Sequence, residues 1–157
     1  MLPLGAAAPP VRALDQAGAE RTLEEFRGRP VVVFFYPRDG TPGCTAEACA
    51  FRDAWQRYRE AGIAVVGIST DSVEAHARFA AEHALPFPLL ADPDAAIARA
   101  WGVGLTLGMT HRVSYLVDDL GRVARVFPDV DPAVHAGEVL AAAAALAPST
   151  APPSAAP

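Results

Sequence analysis

Seven consecutive residues, Pro30 to Tyr36 (P-V-V-V-F-F-Y), carry no charge and are mostly β-branched or aromatic. A run like this has no polar face to offer water, so it predicts a strand covered on both sides, as in the centre of a parallel-type sheet. A second run of the same kind, Ile63 to Ser69 (I-A-V-V-G-I-S), predicts its neighbour. Between them, Cys44 to Ala61 reads as a helix, with apolar Ala46, Ala50, Phe51, Ala54, Trp55 and Tyr58 at helical spacing. The segment Pro37 to Gly43 is the loop that joins strand to helix.

The rest of the chain extends this alternation. Residues 1–11 read as an irregular lead-in. Arg12 to Leu23 reads as one or two short edge strands around Gln16-Ala17-Gly18. Asp71 or Ser72 caps a helix that runs to about His83. A short strand near Phe87–Leu90 and a helix from Pro93 to Trp101 follow. Arg112 to Val117 and Arg122 to Phe127 form a hairpin about the turn at Asp118–Gly121. Asp131-Pro132 opens a last helix that ends near Leu146, with Asp131 as N-cap. Strands alternating with helices imply an α/β fold whose mixed central sheet has helices on both faces. A thioredoxin-like core fits this order, and so does a flavodoxin-like one. One domain over 1–146 accounts for the pattern, and the Ala/Pro-rich tail 147–157 reads as disordered.

Composition narrows the function. With 157 residues, 52% hydrophobic and 20% charged, the chain can bury a core. Its net charge of -5 and its lack of any basic run argue against nucleic acid as a partner. The 13 cationic residues are all arginine, which excludes Schiff-base lysine chemistry. No apolar run reaches the ~20 residues of a membrane span. The N-terminus lacks the basic segment of a secretory signal, which points to the cytoplasm. The two cysteines are too few for a disulfide scaffold or a structural zinc site, and the four histidines show no ligand spacing with them. No metal or cofactor is expected.

The chemistry concentrates in Y-P-R-D-G-T-P-G-C-T-A-E-A-C, residues 36–49. Thr41 suits an N-cap and Pro42 the first helical position. Cys44 then falls in the first turn, beside unpaired N–H groups and the positive end of the helix dipole. Both favour the thiolate, the nucleophilic form. Either cysteine could instead be a small buried hydrophobe, and Cys49, flanked by alanines, suits that description taken alone. Five residues apart on a helix, their Cα atoms stand about 8–9 Å apart. A disulfide needs roughly 4.4–6.8 Å. If the two pair, the start of the helix must unwind.

Pro37-x-x-x-Thr41-x-x-Cys44 resembles the P-x-x-x-T-x-x-C motif of peroxiredoxins, and F-Y-P-R-D-G-T-P-G-C-T-A-E-A-C-A-F-R-D is similar to their bacterioferritin-comigratory, or Q-type, branch. The strings V-V-G-I-S-T-D (65–71) and H-R-V-S-Y-L-V-D (111–118) extend the likeness to about residues 5–146. The resemblance implies a thioredoxin-like fold and a thiol peroxidase acting on hydrogen peroxide and organic hydroperoxides. It implies Cys44 as the peroxidatic nucleophile and Cys49 as the resolving cysteine that closes an intramolecular disulfide. Thr41 would hydrogen-bond the thiolate or the peroxide, Pro37 would shield the pocket, and Arg112 would favour the thiolate and hold the peroxide. Gly43 would line the substrate site, and Glu47 would support it or remain a solvated carboxylate. The reductant implied is thioredoxin or a glutaredoxin-like protein, and the protein a monomer.

Two departures stand out. Gly5 to Val11 lacks the Asp and Phe of the family's opening segment, and Trp101 to His111 is shorter than in many relatives. Three other readings stay open. A thiol–disulfide oxidoreductase would use the same fold but normally a C-x-x-C pair. A cysteine hydrolase would pair Cys44 with His111 or His135. A non-enzymatic redox sensor would use the unwinding helix as a switch.

Overall fold

A computed structural model of the chain describes residues 1–128, 130–132 and 134–146. The expected tail, 147–157, lies outside them. The chain folds in the order β1 (Arg12–Leu14), β2 (Glu20–Thr22), β3 (Val31–Phe35), α1 (Pro42–Asp53), α2 (Trp55–Ala61), β4 (Ala64–Ser69), α3 (Val73–His83), β5 (Leu89–Ala91), α4 (Ala96–Ala100), β6 (Leu105–Thr106), β7 (Met109–Thr110), β8 (Val113–Val117), β9 (Val123–Phe127) and α5 (His135–Ala144).

Five strands form the central sheet in the order β5-β4-β3-β8-β9. β3 and β4 run parallel, as do β4 and β5, whereas β8 pairs antiparallel with β3 and β9. The sheet is therefore mixed, as expected. The apolar run at β3 is continuous because both its faces are buried. Val32, Phe34 and Tyr36 pack with Phe51, Tyr58, Phe79 and Val139 of α1, α2, α3 and α5. Val31, Val33 and Phe35 pack on the other side with Ile97, Ala98 and Trp101, at and beside α4. Gly67 in β4 makes room for this packing: a Cβ there would lie 2.8 Å from Phe34 Cζ and 2.9 Å from Leu89 Cδ2.

Several expectations need correction. The strands at 12–23 are no edge of the main sheet; β1 and β2 form a separate two-stranded ribbon. The lead-in is tied to the start of β9: Gly5 N–H donates to Val123 O at 2.8 Å, and Val123 N–H to Ala6 O at 2.9 Å. The helix starts at Pro42, as the Thr41-Pro42 pair predicts, but the stretch to Ala61 is two helices meeting at Ala54, whose ψ is 1°. No Pro or Gly announces that break. Helix α4 is shorter than 93–101 because the buried Asp92 side chain accepts the amides of Ile97 and Ala98, and Ala95 takes a left-handed φ of 57°. Helix α5 begins at His135 rather than Asp131, whose carbonyl accepts from the amides of Val134 and His135. Between α4 and β8, a segment to which the sequence reading assigns no element contains the small hairpin β6–β7. Its turn places Leu107 and Gly108 at φ 53° and 77°, and a Leu in that role conceals the usual Asn-Gly signal.

Candidate active site at the start of helix α1

The chain leaves the C-terminal end of β3 at Tyr36, crosses a loop, and enters α1 at Pro42. Thr41 is the N-cap by backbone conformation, but its hydroxyl does not cap the helix; it donates to the Arg38 carbonyl at 3.1 Å. The first helical bond runs from Thr45 N–H to Thr41 O. Pro42 has no N–H, so the amides of Gly43 and Cys44 form the open end of the helix, next to the Cys44 sulfur. Cys44 is 1% exposed, and Cys49, one turn and a half further on, is half-buried; both are free thiols on the same helix.

Arg112 reaches this end of α1 from just before β8. Its Nη1 donates to Cys44 Sγ at 3.4 Å and to Glu47 Oε1 at 2.9 Å. One guanidinium nitrogen thus bridges a sulfur and a carboxylate. Burial works against the guanidinium charge, but the Cys44 sulfur and the Glu47 carboxylate outweigh it and hold Arg112 above its ordinary value. Gly43 clears the approach: a Cβ on it would meet Arg112 Nη2 at 2.9 Å. Pro37 is half-buried at the head of the loop.

Glu47 is not a solvated carboxylate. Its side chain is wholly buried, and Oε2 has no hydrogen-bond partner. Burial raises its carboxyl from 4.5 to about 7, although the Arg112 hydrogen bond and charge pull the other way. The sequence did carry a signal for this. Cys44, Glu47, Ala48 and Phe51 follow the i, i+3, i+4, i+7 spacing of the buried stripe, whereas Ala46, assigned to the apolar face, is exposed.

A polar brace that sequence reasoning missed fixes the loop from the other side. Asp39 accepts from Tyr36 Oη at 2.6 Å and lies 2.6 Å from Nδ1 of fully buried His76 on α3. The Asp39 amide donates to Asp71 Oδ2 at 2.8 Å, and Ser69 Oγ donates to the same oxygen at 2.7 Å. Asp39, Asp71 and His76 are the group of potential metal-ligating side chains found among the described residues. His76 Nε2 lies 3.0 Å from the Leu90 carbonyl, so both ring nitrogens and both carboxylates are already engaged.

The other histidines are occupied elsewhere. His111 Nε2 lies 2.8 Å from Thr106 Oγ1 in the β6–β7 hairpin. His135 is buried at the start of α5, edge-on to Phe51 and Phe127, with Nε2 2.7 Å from Ser114 Oγ and Nδ1 3.3 Å from Glu138. Burial holds its pKa down, against Glu138 and with the help of the Arg112 charge. Neither imidazole makes a hydrogen bond to Cys44 among the described residues, which leaves the cysteine-hydrolase arrangement without a base.

Comparison with known proteins bears on the family and the fold. The AhpC/TSA family model matches residues 4–126. A chloroplastic peroxiredoxin Q of Sedum lineare is 45% identical over 139 residues, covering 87% of this chain and 75% of that protein. Rice and wheat relatives of the same name are covered over 64% of their length, so this chain spans about two thirds to three quarters of the plant proteins. A bacterial relative, the putative peroxiredoxin bcp of Coxiella burnetii, is 38% identical and covered over 95% of its length. Among solved structures, peroxidoxin BcpB of Mycobacterium tuberculosis superposes with a TM-score of 0.88 at 34% identity, over 94% of this chain and all of that one. A Xanthomonas campestris bacterioferritin comigratory protein, studied for alkyl peroxide reduction, gives 0.84 at 34% identity, over 92% of this chain and 97% of that one. The family match over most of the chain, with relatives and solved structures of the same kind over nearly all of its folded part, places it in the AhpC/TSA family, among the peroxidase enzymes named peroxiredoxin Q or bacterioferritin comigratory protein.

Proposed function

We propose that the protein reduces hydrogen peroxide and organic hydroperoxides by a two-cysteine cycle centred on Cys44. The observation that carries the reading is the bond from Arg112 Nη1 to Cys44 Sγ at the open end of α1. The Cys44 thiolate attacks the terminal peroxide oxygen, the O–O bond breaks, and the products are a Cys44 sulfenic acid and water or an alcohol. Arg112 and the Gly43 and Cys44 amides are positioned donors for charge that develops on the oxygens. Thr41 reaches the substrate by turning its hydroxyl from Arg38, and Pro37 keeps bulk water from the loop side.

The Cys49 thiol then condenses with the sulfenic acid, releasing water and forming a disulfide. Both residues lie on α1 five positions apart, a separation of about 8–9 Å on an intact helix. The first turns of α1 therefore unwind before the bond forms. Thioredoxin or a glutaredoxin-like dithiol restores both thiols by exchange. The protein acts as a monomer in the cytoplasm. No helix among the described residues is long and apolar enough to cross a membrane, and the plant relatives are named chloroplastic.

Thioredoxin-coupled NADPH oxidation, with hydrogen peroxide and with an organic hydroperoxide, tests the proposal. Turnover should vanish in Cys44→Ser. A folded protein with a reactive thiol and no turnover on either peroxide would instead favour the sensor or the oxidoreductase.

A further inference from the structure

One cation faces two potential anions in this site. Arg112 Nη1 is 2.9 Å from Glu47 Oε1 and 3.4 Å from Cys44 Sγ, and the second Glu47 oxygen is buried with nothing to bond. A single guanidinium does not stabilise a thiolate and a wholly buried carboxylate together as well as it stabilises either one. Like charges sharing a site push one of them to hold a proton. The group with the unsatisfied oxygen, Glu47, is the one that gains from holding it.

We propose that Glu47 stores the proton consumed in peroxide reduction, and that it replaces Cys44 as the anion paired with Arg112 once the sulfur is oxidised. The proposal rests on the peroxidase reading above. The balance is explicit. Cys44 thiolate, peroxide and one proton give the neutral sulfenic acid and water or alcohol. With Glu47 protonated beforehand, that proton comes from the protein. The negative charge moves from sulfur to carboxylate while Arg112 keeps one partner throughout. The elevated carboxyl, near 7, puts the stored proton within reach at neutral pH. Glu47 acts through Arg112 and the pocket rather than by touching substrate, so it is a positioning and proton-storing residue.

The groups around this pair come from three elements. Cys44 and Glu47 lie on α1, Arg112 precedes β8, and His135 with Glu138 lies on α5, which packs against α1. His135 is held toward its neutral form by burial and is bonded to Ser114 and Glu138, so the exchange of charge stays between sulfur and carboxylate.

The test uses the Cys49→Ser protein, which halts at the sulfenic acid. A pH indicator follows proton uptake in stopped flow, and thiol titration counts Cys44 oxidised. Just below pH 7, uptake should be well under one proton per thiol oxidised, and adding Glu47→Gln should raise it to about one. Infrared difference spectra supply a readout independent of that variant: a protonated buried carboxyl band should disappear on peroxide addition to Cys49→Ser. Equal proton uptake in the two proteins, or an unchanged carboxyl band while the thiol is consumed, would overturn the proposal and leave the peroxidase reading standing. Failure of peroxide to consume the thiol would overturn the peroxidase reading itself.

Discussion

A methyl group built on Gly43 would stand 2.9 Å from Nη2 of Arg112, closer than real Cβ atoms come to a heavy atom. The glycine is thus a clearance for the guanidinium rather than a hinge, since its φ is unexceptional. Gly43→Ala should displace Arg112 and slow peroxide reduction by about 10²-fold, the scale of a 1 Å misplacement in a reacting site. Its urea midpoint should stay near wild type. A peroxide rate equal to wild type would mean that the guanidinium swings aside without cost.

Arg112→Ala removes the donor itself. Single-turnover oxidation of Cys44, read by stopped flow, should fall by about 10²–10³-fold, as when one preorganised donor is deleted from an oxyanion site. The fold should persist, because Glu47, with its elevated carboxyl, can become neutral instead of standing as a bare buried charge. Rates matching wild type would show that Arg112 is structural.

Cys49→Ser separates oxidation from recycling. It should keep one rapid oxidation per chain and lose thioredoxin-supported turnover. Undiminished turnover would mean that the reductant attacks Cys44 directly.

Stability should carry its own pH signature from Glu47. The folded-state carboxyl, near 7, lies above its ordinary 4.5, so the native state binds the proton more tightly than the unfolded one. The contribution is most favourable below about 4.5 and is lost as pH rises through about 7. The loss amounts to about 3 kcal/mol in order of magnitude. Urea midpoints of wild type and Glu47→Gln, measured across that window, should diverge as pH rises, with wild type losing stability. Parallel curves would show that the buried carboxyl titrates normally.

The two uncharged runs at β3 and β4 were legible because burial on both faces leaves no other composition possible. The Cys44 position was legible too, since Thr41-Pro42 after a buried strand and loop favours a helix start. The burial of Glu47 was left open because residue type competes with spacing: it sits on the stripe of Cys44 and Phe51, where a carboxylate is unexpected. The Asp39–His76 brace joins a loop to a helix 37 residues away, a distance at which no local pattern signals contact. The β6–β7 turn escaped because Leu107 holds a left-handed conformation that its side chain disfavours.

The interruption at Ala54 bears on how the enzyme can move without coming apart. Beyond it, α2 is fastened to α5 by Tyr58 Oη, which donates to the Ala136 carbonyl at 2.6 Å. Before it, the 12 residues of α1 hold both cysteines, Glu47 and the open end. On the upstream side, Asp39 is pinned through His76 and Asp71. The segment that would have to melt for the proposed disulfide to close is therefore fenced at both ends. It can open as a small cooperative unit, at a free energy well below that of global unfolding. Hydrogen exchange should find those amides to be a weak fuse in an otherwise strong circuit, failing first and, under the proposed cycle, resetting with each round of reduction.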